Sequence, residues 1–331
     1  MLKFSISINI VSNGVLGILF DVFFWKLVFI CETQAVLSNF YIVPHGGIAL
    51  DPTHFNTTNA TSLKEAWMIH DSYVEIGKEI ASLQPNLVFL STPHGISDLN
   101  NFVFYYNPTA SGFADTDNCQ CPPCCYNVTV NLNMKVTSAL LQVLSHSKNI
   151  SALSGFGPPG ASDSPFPLRW GEVIPLHFIP GNLTEIVILS HPSRRYSDDV
   201  SMIPELLKLG EDLYQYLESI PEKVVVMISA DLAHTHSADG PYGFSKAAEP
   251  FDKAVGQWVQ LQDPSSLVKT AASYVDKALS CGFTGLVMLQ GILGDKRTSQ
   301  WKPELLANYH PSYYGMMVAA FRRENRYRIK F

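Results

Sequence analysis

Short, nearly continuous apolar runs recur at residues 40–43, 87–90, 185–189 and 224–228, separated by longer segments in which apolar residues return every three or four positions. The runs are rich in β-branched and aromatic side chains and leave no polar face, which suits strands of a parallel sheet covered on both sides. The spaced segments at 62–82, 136–146, 203–217, 247–260 and 265–280 predict helices. Ser62, with Glu65 three residues later, has the pattern of a capping box for the first of them. Residues 102–106 and 285–290 predict further strands, 155–167 a loop rich in Gly, Pro and Ser, and 313–322 a short amphipathic element. No repeat of the solenoid kind is present. The alternation predicts the α/β class: a single doubly wound domain over residues 39–331, with a mostly parallel central sheet and helices on both faces.

Residues 1–38 form an apolar extension of a different character. The stretch 10–31 is almost long enough to cross a bilayer, but Asp21 and Lys26 interrupt it and no small-residue cleavage pattern follows. A membrane anchor or uncleaved signal, an added strand or helix, and a start placed too far upstream all stay open. Sequons at Asn56, Asn59, Asn127, Asn149 and Asn182 lean towards secretion and the absence of a clear signal towards the cytoplasm, so the compartment stays open too.

Composition narrows the function classes. With 47% hydrophobic and 16% charged residues, the 331-residue chain can bury a substantial core and is too apolar to be disordered. A net charge of −6 with no basic run argues against a nucleic-acid partner. Cysteine usage is uneven, since Cys119, Cys121, Cys124 and Cys125 crowd into CQCPPCC while Cys31 and Cys281 stand apart. A structural loop, a disulfide and a soft-metal clamp are the readings of that cluster, and the lack of a second cluster argues against a standard zinc module.

The chemistry sits where the apolar runs end. The run at 40–43 leads into Pro44-His45-Gly46-Gly47, the run at 87–90 into Ser91-Thr92-Pro93-His94-Gly95, and the run at 224–228 into Ser229, Asp231, His234, His236 and Asp239. Open α/β sheets keep their sites at the carboxyl ends of the strands. Any one of these histidines alone is a turn residue; three at strand ends make a site. Iron(II) that must bind O₂ and an organic molecule is commonly held by two histidines and a carboxylate, which leave one face open. His45 and His94 have the context for two such ligands, and His234 for a neighbouring acid/base; a third ligand is not evident. His236, His191, Tyr242, His310 and Tyr313 are the expected pocket-lining residues, His236 as a flank or orienting partner of His234.

The motifs PHGGIALDP, STPHGI, SADLAHTHSADGPYGFSKAAEPFD and HPSYYGMMVAAF, in this order over residues 40–322, resemble the catalytic-subunit family of class III extradiol ring-cleavage dioxygenases. Protocatechuate 4,5-dioxygenase is a member of that family, and the Memo-like proteins are related in fold. The resemblance implies a mononuclear iron(II) enzyme that binds a small catecholic substrate through both hydroxyls and inserts both atoms of O₂ beside the diol. It implies His45 and His94 as iron ligands and His234 as the acid/base; a homo-oligomer is compatible with it. The chain departs from the pattern at two places. Ser280 stands where the family places its ligand glutamate, and Arg169-Trp170-Gly171 stands for a family Asp-His-Gly ahead of Ile174-Pro175-Leu176. The Memo-like relatives carry a cysteine beside two histidines, which makes Cys281 an alternative third ligand and would favour zinc or copper(I) over oxygen-activating iron. Two function classes follow: an extradiol-type dioxygenase, and a non-catalytic relative that binds a metal or a partner.

Overall fold

A computed structural model describes residues 37–147, 149–155, 164–179 and 184–324. Eight strands form the main sheet: β1 (Leu37–Val43), β2 (Leu87–Thr92), β3 (Phe102–Tyr105), β6 (Ile150–Leu153), β8 (Glu185–Ser190), β9 (Val224–Ser229), β10 (Trp301–Tyr309) and β11 (Met316–Arg323), in the order β10-β11-β1-β9-β2-β8-β3-β6. The four central strands β1, β9, β2 and β8 are mutually parallel, β11 and β10 close one side antiparallel, and β3 meets β8 antiparallel on the other. Three further strands, β4 (Thr109–Ala114), β5 (Tyr126–Asn131) and β7 (Phe166–Leu168), make a small separate sheet.

The runs with no polar face are buried on both sides, as a covered parallel sheet requires. Along β9, Val224, Val226 and Ile228 pack into one core with the helices Ile203–Leu217, Ala248–Leu261 and Phe283–Leu293. Val225 and Met227 pack into the other, with the helices Ala60–Leu83 and Trp170–His177 and the small sheet. The described residues all belong to one compact unit, residues 35–331.

Several local expectations are corrected. Residues 285–290 are not a strand but part of the helix Phe283–Leu293, every residue of which is buried. A helix covered all round has no polar stripe, so its period was invisible. It meets the helix Ile203–Leu217 through two glycines: a Cβ at Gly210 would lie 2.1 Å from the Met288 carbonyl oxygen, and one at Gly291 would lie 2.3 Å from that of Leu207. Residues 313–322 are not an amphipathic element; they contain all but the last residue of β11, whose first six residues are buried. Residues 265–280 break into a π turn, a 3-10 turn and the short helix Val275–Ala278. Asn59 rather than Ser62 caps Ala60–Leu83, its side-chain oxygen accepting from the backbone of Thr61 and Ser62. β10 and the small sheet were not anticipated.

The clustered cysteines form two disulfides, Cys119–Cys124 and Cys121–Cys125, which is one of the three readings offered by their spacing. β1 begins at Leu37, ahead of the expected start at Asn39. Leu37 is fully buried, its N–H donates to Glu218, and Arg323 reaches both its carbonyl and Glu218. A start at Asn39 would therefore cut into the strand. The apolar stretch 10–31 lies outside the described residues, among which no helix is long and apolar enough to cross a membrane.

Candidate metal centre and active site

The carboxyl ends of β1, β2 and β9 bring His45, His94 and His234 to one cavity of about 640 Å³. The turn after β1 is tight: a Cβ at Gly46 would fall 2.4 Å from the Tyr314 ring, and one at Gly47 2.6 Å from the Asp117 backbone. Only glycine lets the chain pass there while His45 faces inward.

Hydrogen bonds fix the tautomer of His45. The Ser229 hydroxyl donates to the Gly171 carbonyl at 2.7 Å, so it accepts from His45 Nδ1–H at 2.8 Å, leaving Nε2 with its lone pair. That lone pair faces Cys281 Sγ at 3.3 Å and Asp231 Oδ2 at 3.2 Å. The His94 ring meets His45 edge-on with centroids 4.8 Å apart. Ligand atoms of His45, His94 and Cys281 all lie within 4.8 Å of one another, and so do those of Asp231, His234 and Cys281.

Burial sets the charge state. It holds His45 well below the usual imidazole range, helped by His94, His234 and Arg195, and holds His94 at about 3, helped by Arg195. Both are neutral, as metal-binding imidazoles must be. Burial also pushes the Asp231 carboxyl up to about 7, although it accepts the backbone N–H of His45. With His45 neutral, its 3.2 Å approach to Asp231 Oδ2 is not an ion pair. Burial, with Asp231 beside it, likewise pushes the Cys281 thiol up.

His234 follows β9 and is anchored by two carbonyls: its N–H donates to Ala278 at 2.8 Å and its Nδ1–H to Leu279 at 2.6 Å. Its Nε2 is left as an acceptor, and burial lowers its pKa. Tyr242, Tyr313 and Tyr314 surround the ring at 5.8 to 6.3 Å. Tyr242 and Tyr313 line the cavity. Ser280 lines it too, but its hydroxyl turns back to donate to the Asp231 carbonyl at 3.0 Å, whereas Cys281 Sγ faces His45.

The other expected pocket residues lie elsewhere. His191 is buried behind the cavity wall with one ring nitrogen on Ser91 and the other on Thr284. His236 binds Asp252 at 2.8 Å and stacks at 4.0 Å on His310, which belongs to a separate recess beside Glu249. These histidines follow strands or motifs as His234 does, but side-chain direction is not legible in spacing. The sequence reading marked Trp170 only as a departure from the family pattern, missed Arg195 and Tyr314 on the wall, and gave Asp231 no role.

Glu172 locks the wall. It is fully buried, accepts from the Tyr105 hydroxyl at 2.9 Å and the Arg169 backbone at 2.7 Å, and Tyr105 in turn accepts from Ile96 N–H. Burial raises Glu172 from its ordinary 4.5 to about 7. A carboxyl raised on folding keeps more protons in the native than in the unfolded chain, so its stabilisation is full below pH 4.5 and lost as pH rises through 7. The metal-free chain should therefore melt lower at pH 8 than at pH 5.5, with Glu172 contributing about 2 kcal/mol of the difference and Asp231, also raised to about 7, adding to it. Glu172→Gln should reduce that slope in thermal melts across this range, leaving the share of Asp231; an unchanged slope would contradict the assignment.

Comparison with known proteins follows the same geometry. The model of the family described as the catalytic LigB subunit of aromatic ring-opening dioxygenase matches residues 41–319. Protein CA_C1420 of Clostridium acetobutylicum is 26% identical over 287 residues, which is 85% of this chain and 57% of that protein, so the chain spans little more than half of its relative. The crystal structure of the uncharacterized protein JW3007 from Escherichia coli K12 superposes with a TM-score of 0.48 at 13% identity, covering 86% of this chain and 99% of that one. A match running from within β1 through β2 and β9 to the middle of β11, with the site between them, means that the chain belongs to the family of catalytic LigB subunits of aromatic ring-opening dioxygenases.

Proposed function

We propose that the chain is a mononuclear metal protein that opens a small catecholic ring with O₂, its metal held by His45, His94 and Cys281. The observation that carries the reading is the convergence of those three ligand atoms within 4.8 Å, on a cavity that His234 also lines. The donor set fits a divalent metal: two neutral imidazoles, one with its tautomer fixed by Ser229, and a thiol that ionises on binding. Iron(II) bound there would supply a shared site for the diol and O₂.

The protein's own part is placement and proton transfer. The indole of Trp170 and the rings of Tyr242 and Tyr313 flank a planar substrate. His234 Nε2, with Nδ1–H tied to Leu279, accepts a phenolic proton and returns it later in the cycle. Glu172 and Ser229 hold the walls that carry these groups.

Cys281 favours a second reading, a metal-binding relative without oxygen chemistry, because thiolate ligation draws zinc or copper(I) more strongly than iron(II). Anaerobic loading with iron(II), metal analysis and oxygen uptake with a panel of catechols separates the two. Stoichiometric iron with catechol-dependent oxygen uptake supports the enzyme; tight zinc and no uptake supports the second reading. Cys281→Ala should lose metal, and Ser280→Glu should raise iron(II) affinity by about tenfold only if residue 280 can reach the ligand position.

A further inference from the structure

The loop between β4 and β5 has no core of its own. It joins Ala114 to Tyr126, the last pair of that ladder, and none of residues 117–125 belongs to either hydrophobic core. A loop without burial is held in one shape by a cross-link, which the disulfides Cys119–Cys124 and Cys121–Cys125 supply. A histidine is built against the first of them. His54 Nε2 lies 3.4 Å from Cys124 Sγ, and ligand atoms of His54, Cys119 and Cys124 all fall within 4.8 Å of one another. The 3-10 turn Pro52–His54 is pinned from both sides. Asp51 caps it through Thr53 and accepts from the Tyr126 hydroxyl at 2.5 Å, and the His54 carbonyl accepts from Asn118 Nδ2 at 3.4 Å. The imidazole is therefore set beside the sulfurs by bonds that do not involve the sulfurs.

We propose that this loop is a second metal site, sharing no ligand with the centre of His45, His94 and Cys281, which takes a zinc-type ion on Cys119, Cys124 and His54 when its disulfides are reduced. Two thiolates and an imidazole are donors that select such an ion, and the fourth tetrahedral corner falls to Cys121 or Cys125 of the same loop. A dithiol supplies the reduction. Each disulfide takes up two electrons and two protons, the dithiol leaves as its own disulfide, and each ligating thiol gives up its proton as the ion binds. The loop is thus cross-linked in either redox state, by sulfur–sulfur bonds in an oxidising compartment and by the ion in a reducing one. The consequence reaches the first site. Thr116 and Cys119 exchange backbone hydrogen bonds at 3.3 Å, Thr116 and Asp117 line the main cavity, and Asp117 accepts from the Tyr314 hydroxyl, so the second ion holds one wall of that cavity.

Cobalt(II) titration of the full chain, before and after reduction with dithiothreitol and anaerobic desalting, tests this. Cys281 is a free thiol in both forms, so the first centre contributes equally to each and the difference isolates the loop. The reduced chain should take up one more equivalent of cobalt(II) than the oxidised chain, with thiolate-to-cobalt charge-transfer absorption that zinc abolishes by displacement. His54→Ala should weaken that additional equivalent by about tenfold or more, and a chain carrying both Cys119→Ser and Cys124→Ser should lose it. The His54 side chain is 40% exposed, so its replacement tests the ligand even where the serine variant fails to fold. No additional equivalent on reduction would overturn the inference. So would an additional equivalent that survives in the serine variant, or that binds His54→Ala as tightly as the wild type, because other thiols would then hold the ion without this histidine.

Discussion

Alanine at His45 or at His94 is expected to abolish stoichiometric metal binding, whereas alanine at His234 leaves the metal bound and removes ring cleavage. His45 presents a lone pair at Nε2 because Ser229 takes Nδ1–H, and His94 meets it edge-on 4.8 Å away, so both rings offer nitrogen to one point. Loss of an outer partner such as Ser229 typically costs 10- to 100-fold in metal affinity, so loss of a ligand itself should exceed about 100-fold, or roughly 2.7 kcal/mol. His234 is within reach of Cys281 and Asp231, but its Nδ1–H is spent on Leu279 and it stands among tyrosines, which suits proton transfer. Metal analysis after dialysis decides the matter. Full occupancy in the His45 and His94 variants, or metal loss in His234→Ala, would sink the division of roles.

The largest stability effect should come from Gly210→Ala or Gly291→Ala. These two residues form the contact between the helices Ile203–Leu217 and Phe283–Leu293, and an added Cβ at either meets backbone carbonyl oxygen at 2.1 or 2.3 Å. Backbone cannot swing aside as a side chain can, so each substitution should cost about 3 kcal/mol or more in urea unfolding. The damage should also reach the metal centre. Cys281 and Gly282 lead directly into the displaced helix, and Gly282 is packed against Ala230, so any shift moves the thiol away from His45. Gly243→Ala is the control, an exposed-loop glycine with φ of +71° and nothing within 4 Å, for which about 1 kcal/mol is expected. Equal losses in all three would refute the helix contact as the cause.

The central strands were legible because 87–90, 186–189 and 224–228 are apolar on both faces, and only a sheet covered on both sides makes that pattern stable. The same property hid the helix Phe283–Leu293, whose uniform burial erased the helical period. β10 escaped for the opposite reason: an edge strand with exposed and half-buried residues such as Lys302 and Glu304 reads as loop. At the site, the strand-end rule located the cavity, and the structure brings His45, His94, His234 and Cys281 together there. What spacing did not carry was direction. Ser280 and Cys281 are neighbours, yet one turns to a backbone carbonyl and the other to His45. His191, at the end of β8 in the same way as His94 at the end of β2, points into the packed interior. Arg195 was invisible as a site residue because its place on the cavity wall is a property of the folded chain alone.

Trp170 gives the molecule an optical signal of its own. Its indole is 41% exposed, lines the cavity, and lies 5.1 Å from His94 with Arg169 over its ring. The other described tryptophans sit elsewhere: Trp258 and Trp301 are buried in or against the far core, and Trp67 is on the outer face of its helix. An indole this close to a bound metal or aromatic ring is open to quenching, so the difference in emission between wild type and Trp170→Phe should follow occupancy in real time. Loading by metal and by ligand can thus be watched separately, without a label and without waiting for product.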